Sequence, residues 1–216
     1  MLEDALKRLQ ELIMKASFLA EEMVVKAEKA LEKRIPELAR EVIEKDEVEL
    51  DLLDLTITEE VVRTFALYQP KARDLRMVLS VFNIIRHLER VGDHAVNIAE
   101  YTLELVDKPM VKPLVDIPRM AKIATEMLKD AIDSFIKGDE ERAYRVIERD
   151  DEVDNLLEQV RRELITYMVS DPATIDRGLK LTSIARNLER IADLATNIAE
   201  EAVFLVKGKI IKHRPL

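Results

Sequence analysis

Two segments of the sequence repeat the same spacing of acidic side chains. RHLERVGDHAVNIAE occupies residues 86–100, and RNLERIADLATNIAE occupies residues 186–200. Each copy contains two acids four residues apart: Glu89 with Asp93, and Glu189 with Asp193. Two like charges at this spacing lie on one face of a helix and weakly destabilise it. Helix packing requires only that apolar residues recur, so the repeated acids are the candidates for chemistry.

The region before each motif supplies a second acid pair. EVELD at residues 47–51 and DDEVD at residues 150–154 each place two carboxylates four residues apart. If neighbouring helices bring the pairs of each half together, four carboxylates converge and repel one another unless protons or a cation neutralise them. Oxygen-only donors suit Mg²⁺, Ca²⁺, Mn²⁺ or iron, so we predict metal sites. The predicted ligands are Glu47, Asp51, Glu89, Asp93, Asp150, Asp154, Glu189 and Asp193.

Each motif separates its acids from its apolar residues. On a helix with steps of about 100° per residue, Leu88, Val91 and Ala95 fall on one side. Glu89 and Asp93 fall on the opposite side, so the acids face away from the apolar side of their own helix. The residues that extend the two acidic stripes are secondary candidates: Asn97, Glu100, Asn197 and Glu200.

Long segments with apolar residues at helical spacing must position these acids. They predict helices at about residues 2–34, 36–68, 71–106, 118–137, 140–169 and 172–207, with breaks at prolines and glycines. In the second helix the spacing places Leu50, Leu53, Ile57 and Val62 toward the core. We therefore predict an all-α fold: two repeated three-helix bundles, residues 1–107 and 118–216, side by side as a six-helix protein. A proline-containing linker, residues 108–117, joins the two repeats.

The composition excludes several classes of protein. The chain of 216 residues has no cysteine, which excludes disulfides and thiolate metal sites. Its net charge of −9 argues against a nucleic-acid partner, because phosphate binding needs clustered Lys and Arg. The N-terminus lacks the apolar segment of a signal peptide, and no run of about 18 apolar residues could span a bilayer. We expect a cytoplasmic protein that is peripheral to the membrane at most.

No sequence pattern indicates an enzyme. The G-x-x-x-x-G-K-[ST], G-x-S-x-G and G-x-G-x-x-G motifs are all absent. A ferritin-like di-iron enzyme requires Glu-x-x-His on two helices, and no glutamate here has a histidine three residues later. We interpret His87 and His94 as surface or boundary residues, and His213 as part of a solvated basic tail. The chain is therefore expected to act by binding.

The repeated L-E-R-[VI]-x-D-x-A-x-N-I-A-E and the VIE-[KR]-D segments before each middle acid pair resemble the PhoU family of phosphate-transport regulatory proteins. Members of that family carry an E(D)xxxD motif, and in some members pairs of these motifs hold iron or zinc clusters on the bundle surface. The resemblance implies the same role for the eight acids named above, with iron or zinc as the metal. Around VIEKD two registers are open, so Asp46 competes with Glu47 for the first position.

The resemblance also implies a function. Proteins of this kind are cytoplasmic negative regulators of the phosphate-starvation response, and they link a phosphate ABC transporter to a sensor histidine kinase. We expect the ATPase subunit of the transporter and the kinase as partners, and we expect a homodimer. Two alternatives stay open: a helical adaptor whose acidic stripes bind no metal, and a di-iron carboxylate enzyme.

Overall fold

The fold is described for residues 1–211 of a computed structural model. Within these residues eight α-helices occur in the order α1 Leu2–Lys33, α2 Pro36–Glu41, α3 Glu47–Tyr68, α4 Ala72–Leu105, α5 Asp116–Lys137, α6 Glu140–Glu148, α7 Asp150–Ser170 and α8 Ile175–Lys207. A π-helical turn, Val42–Asp46, connects α2 to α3, and a 3₁₀ turn, Pro172–Thr174, precedes α8. No helix of this part of the chain has the length and apolar character needed to cross a membrane.

The eight segments form the six long rods that the sequence predicts, because α2 runs into α3 and α6 runs into α7. Gly138 and Gly208 end α5 and α8 in the left-handed conformation, with φ of 66° and 67°. The middle rod of each half contains an irregular turn that the helical spacing did not indicate. The first has the π turn, and the second has a tightened turn in which the Arg149 amide donates to the carbonyl of Val146. The all-α fold with two repeated halves is confirmed.

Four long helices build the centre of the protein. α1, α4, α8 and α5 pack in a ring, each against the next. The middle rods flank this ring: α3 contacts α1 and α4, and α7 contacts α8 and α5. One continuous apolar core runs through both halves. The two bundles therefore share a core in addition to lying side by side.

The central pair, α4 and α8, runs antiparallel. Arg76, near the start of α4, donates through Nε to the carbonyl of Leu205 near the end of α8, at 3.2 Å. At the opposite end, Lys180 Nζ lies 3.0 Å from Glu104 Oε2. This arrangement relates the two halves by an approximate two-fold axis, which crosses near the middle of the two repeated motifs.

A buried carboxylate links the same two helices. Glu201 of α8 is only 4% exposed. Ser80 Oγ donates to it at 2.9 Å, and Asn83 Nδ2 donates at 3.1 Å. Hydrogen bonds of this kind are needed because an unsatisfied buried carboxylate is strongly destabilising. The network thus favours one register of α4 against α8.

Gly92 lets the middle rod approach the motif helix in the first half. A Cβ added at Gly92 would lie 2.5 Å from Leu50 Cδ2 and 3.2 Å from Glu47 Oε2. The second half has Ala192 at the equivalent position, and there the facing residues are each one methylene smaller: Val153 and Asp150. The methyl group that Ala192 adds to its helix is therefore accompanied by smaller side chains on the facing helix.

This compensation generates a prediction for Gly92→Ala combined with Leu50→Val. Gly92→Ala gains about 1 kcal/mol of helix propensity, but the clash with the buried Leu50 side chain outweighs it, and we expect a net loss of about 1 kcal/mol in the free energy of unfolding. Leu50→Val alone loses about 1 kcal/mol to a small cavity. The double variant reproduces the pairing of Ala192 with Val153 in the second half. Its loss of unfolding free energy will therefore be smaller than the sum of the two single losses.

Urea unfolding of the four proteins measures this coupling. Strictly additive losses would contradict the assigned contact between Gly92 and Leu50.

Candidate metal centres

The first carboxylate site forms between α3 and α4. Burial raises the pKa of Glu47 to about 7, and the neighbouring charges of Asp51, Asp93 and Glu89 add to the shift. The Oε2 atom of Glu47 is buried and has no hydrogen-bond partner among residues 1–211. Burial also raises the pKa of Glu89, with the charge of Asp93 as the next cause. The structure therefore brings the four predicted acids of the first half together.

The π turn decides which acid enters this site. Val42 and Val146 are equivalent core residues, but five positions separate Val42 from Glu47 and four separate Val146 from Asp150. The extra residue, Asp46, is 2% exposed and accepts a hydrogen bond from Lys26 Nζ at 2.8 Å. The sequence left two registers open for this position. In the structure Glu47 faces α4, whereas Asp46 is buried and bound to Lys26. π turns of this kind often occur at functional sites.

The second site forms between α7 and α8. Burial raises the pKa of Asp150 to about 7, and Asp193, Asp154 and Glu189 contribute in that order. Burial raises the pKa of Glu189 and of Asp154 as well, and Asp193 is the next cause for both. Arg190 partly neutralises the negative charge of this site, since its Nη1 donates to Asp193 Oδ2 at 2.9 Å. The four predicted acids of the second half thus converge in the same way as those of the first.

Asp54 is a further acid of the first site that the sequence analysis missed. Its charge raises the pKa of Glu89, and its Oδ2 accepts from Arg86 Nη1 at 3.3 Å. Its other oxygen, Oδ1, is buried without a hydrogen-bond partner in the described chain. A signal was present, because Asp54 follows Asp51 by three residues on the helix face that carries Glu47. The equivalent residue of α7 is Leu157, and the further acid near the second site is Asp151, whose charge raises the pKa of Asp150 and of Asp154.

The secondary candidates have other contacts or stand apart. Asn197 Nδ2 donates to the backbone carbonyl of Asp193 at 2.8 Å, which turns the amide toward its own helix. His94 Nδ1 lies 2.8 Å from Asn187 Oδ1, so this histidine contacts the other half. Glu100 is exposed on α4, and His213 lies outside the described residues. The contacts of Asn197 and His94 do not link the first carboxylate site to the second.

The donor chemistry fits a cation, although the side chains do not already enclose one. Among residues 1–211, no three carboxylate or imidazole groups stand in an arrangement that would hold a metal ion. The buried Oε2 atoms of Glu47 and Glu189 nevertheless lack hydrogen-bond partners, although Arg190 Nε lies 3.4 Å from the second. Orphaned carboxylate oxygens in a cluster of acids are the donors that a multivalent cation would use. Binding would require the side chains to turn toward a shared point.

The raised pKa values predict how the stability of the metal-free protein depends on pH. Glu47 has an ordinary pKa of 4.5 and a folded pKa of about 7, so the folded state binds more protons than the unfolded state between these values. Stability therefore falls as pH rises from about 4.5 to 7. After discounting for partial exposure, Glu47→Gln and Asp150→Asn should each increase the free energy of unfolding at pH 8 by about 1 kcal/mol.

Urea unfolding in the presence of a chelator, at pH 4 and pH 8, measures these differences. Glu44→Gln is a suitable control because Glu44 is an exposed acid of the π turn Val42–Asp46. A gain at pH 4 as large as the gain at pH 8 would contradict the assigned charge repulsion.

Comparison with known proteins places this architecture in a family. The sequence matches the PhoU domain twice, over residues 13–102 and 117–202. It is 46% identical over 209 residues to the phosphate-specific transport system accessory protein PhoU homolog of Aquifex aeolicus, covering 97% of this chain and 94% of that protein. The PhoU homolog 2 of Thermotoga maritima is 36% identical, with 98% and 90% covered.

Solved structures agree with the sequence comparison. The crystal structure of PhoU from Pseudomonas aeruginosa superimposes with a TM-score of 0.92 at 32% identity, covering 97% of this chain and all of that chain. The phosphate transport system regulatory protein PhoU from Streptococcus pneumoniae gives a TM-score of 0.90 at 27% identity, with 98% of this chain covered. The repeated helices, the twin acidic motifs and these likenesses show that the chain belongs to the PhoU family.

Proposed function

We propose that the chain is an accessory protein of phosphate transport that regulates phosphate uptake and phosphate-starvation signalling. The observation that carries this proposal is the family match, which covers both repeats and includes both carboxylate sites. The curated relatives named above are phosphate-specific transport system accessory proteins. The proposed partners are the ATPase subunit of a phosphate ABC transporter and a sensor histidine kinase. We also propose that the chain associates with a second copy of itself.

The proposed mechanism is reversible binding without a chemical step. Each half presents one carboxylate site at the junction of its middle rod and its motif helix. The acids repel one another at neutral pH, so the junction is least stable when all of them are charged. A bound cation would neutralise the carboxylates and hold the two helices together. The state of the sites would thereby alter the surface that α3 and α7 offer to a partner.

Iron or zinc is the proposed metal, in line with the family. Glu47, Asp51, Glu89 and Asp93 would hold it in the first half, and Asp150, Asp154, Glu189 and Asp193 in the second. The donors are all oxygens, which also suits Mg²⁺, Mn²⁺ or Ca²⁺. Arg190 already pairs with Asp193 in the second site, so we expect the first site to bind a given cation more tightly than the second.

An adaptor that binds no metal is the second candidate. The ion pair between Arg190 and Asp193 favours it, because an arginine already neutralises part of the second site. In such a protein, bound protons and arginine side chains alone would neutralise the charge of the acids. Metal analysis distinguishes the two candidates.

Metal content should fall site by site in isosteric variants. Glu47→Gln/Asp93→Asn removes two donors of the first site, and Asp150→Asn/Asp193→Asn removes two donors of the second. With protein purified without chelator, elemental analysis should show about half the wild-type metal in each double variant and almost none in the quadruple variant. Glu44→Gln/Glu141→Gln is the control, because it removes two exposed acids from outside the sites. Equal metal content in all these proteins would refute the assignment of the metal to these acids. The adaptor that binds no metal would then be the remaining candidate.

The regulatory role is tested in cells that lack the chain. We expect deletion to release a phosphate-starvation reporter from repression at high phosphate, and the wild-type chain to restore repression. The tagged chain should also co-purify with the transporter ATPase or the kinase. Normal repression in the deletion strain, together with no capture of either protein, would reject the proposal whatever the metal content.

A further inference from the structure

The outward face of α3 carries an apolar stripe that nothing in the described chain covers. Val48, Leu52, Leu55 and Val62 are 54%, 59%, 60% and 60% exposed. With Glu59 and Ala66 they recur at alternating steps of four and three residues, which is the heptad spacing of a coiled-coil seam. The periodicity predicted Val62 in the core, and this prediction is wrong. We call these six residues the α3 seam.

The core of the protein does not require the α3 seam. Leu50, Leu53 and Ile57 already bury the opposite face of α3. A helix that is apolar on both faces is normally covered on both. Exposed apolar stripes on an otherwise charged surface mark contact sites.

The second half supplies an internal comparison. α7 occupies the equivalent position against α5 and α8. Counting from Glu47 and from Asp150, the positions equivalent to Val48, Leu52 and Leu55 are Asp151, Asn155 and Glu158. These three residues are polar and exposed. Toward the end of α7 the difference disappears, since Ile165 and Val169, equivalent to Val62 and Ala66, are apolar and 53% and 78% exposed. The first half of the α3 seam therefore lies at a location that is compatible with a solvated surface, and its apolar character needs another explanation.

We propose that the α3 seam binds the α3 seam of a second copy of this chain, with the two helices antiparallel. In the antiparallel register Leu52 lies opposite Val62 of the partner subunit, and Leu55 lies opposite Glu59 of the partner subunit. Val48 then lies opposite Ala66 of the partner subunit. The inference extends only the proposed self-association, and it depends on neither the metal nor the phosphate role.

Flanking charges favour the antiparallel arrangement. Glu49, Thr56 and Arg63 follow one edge of the α3 seam, at intervals of seven residues. In the antiparallel register Glu49 meets Arg63 of the partner subunit, twice by symmetry, and Thr56 meets its own copy. The side chains of Glu49 and Arg63 are 45% and 65% exposed, and each takes part in a surface ion pair within its own chain, with Lys15 at 3.0 Å and Glu60 at 4.0 Å. A parallel pair would set Glu59 against Glu59 of the partner subunit, which is repulsive.

The contact is a small one. From Val48 to Ala66 the α3 seam is about 27 Å long at 1.5 Å per residue. One helix pair of this length buries less than the roughly 800 Å² per partner of a standard interface. A polar residue within such a seam fixes the register and weakens the pair, as expected for Glu59. We therefore expect a dimer with a dissociation constant on the order of micromolar.

Engineered cysteines test the register directly, because the chain has no cysteine of its own. An equimolar mixture of Leu52→Cys and Val62→Cys chains, distinguished by tags, should form a covalent heterodimer on mild oxidation. Neither variant alone should cross-link, since like positions are about 15 Å apart along the helix axis in this register, beyond the roughly 7 Å reach of a disulfide. A parallel pair would give the reverse result. Asn155→Cys with Ile165→Cys, at the equivalent positions of α7, is the matched control and should not cross-link.

Sedimentation velocity over a concentration series tests the interface without cysteines. Leu52→Glu/Leu55→Glu should raise the dissociation constant of the dimer at least tenfold, with unfolding curves recorded to show that the monomer stays folded. Asn155→Glu on α7 should leave the dissociation constant unchanged. Arg63→Glu should weaken the dimer, and Glu49→Arg/Arg63→Glu should restore it, which a parallel pair would not do.

The possible failures are distinguishable. A dimer that persists in Leu52→Glu/Leu55→Glu would overturn the α3 seam as the interface and leave self-association standing. A wild-type chain that is monomeric at every concentration would overturn both the α3 seam as an interface and the proposed self-association. If such a monomer captured the transporter ATPase, and Leu52→Glu/Leu55→Glu abolished capture, the α3 seam would belong to that partner; the second-copy proposal would fail and the regulatory proposal would stand.

Discussion

The close packing of each middle rod against its motif helix is the constraint on which the carboxylate sites depend. Burial of Leu50 against Gly92 brings α3 so near to α4 that Glu47 reaches the acids of the motif. Hydrophobic burial and packing favour this approach, and charge repulsion opposes it. The raised pKa of Glu47 reflects this opposition, because a group held beside other acids and partly out of water keeps its proton to a higher pH. The acids converge because the apolar faces behind them must pack.

The two halves reach the same arrangement by different local means. The first uses a π turn, a glycine in the motif and the longer acid, Glu47. The second uses a tightened turn, Ala192 and the shorter acid, Asp150. One extra residue in a turn rotates every following side chain by about 100°, so each turn must match the length of its own segment. The position of the acidic groups is common to both halves, whereas the route of the chain to that position is not.

The approximate symmetry of the fold does not extend to its outer surface. α4 and α8 pair antiparallel and join the two cores, which makes the central ring nearly symmetric. α3 and α7 flank that ring in equivalent places, yet the first half of the outward side is apolar in α3 and polar in α7. Packing of the core does not act on these outward positions, so their difference reflects what each half contacts. A protein with two related sites and two unlike outer faces can offer different surfaces to different partners.

Several features could be predicted from the sequence. The helical periodicity, the proline and glycine breaks and the duplicated motif specify six helices in two repeats, because these signals are local and repeat along the chain. The acids at 89, 93, 189 and 193 lie on the side of the helix that its own apolar stripe does not occupy. The motif also identifies the family, which the comparisons confirm. The eight predicted ligands all lie in the two clusters of acids.

Other features were decided only by the tertiary structure. Asp46 and Glu47 are adjacent acids, and only the width of the turn before them sends one to Lys26 and the other to the carboxylate site. Asp54 joins that site because Arg86 and Glu89 of another helix lie beside it. Ile57 and Val62 are both β-branched apolar residues of α3, yet Ile57 is buried and Val62 is exposed. The sequence by itself determined where helices form and which residues share a face, since those depend on neighbours in the chain; the structure decided which face is covered, since that depends on helices far away in sequence.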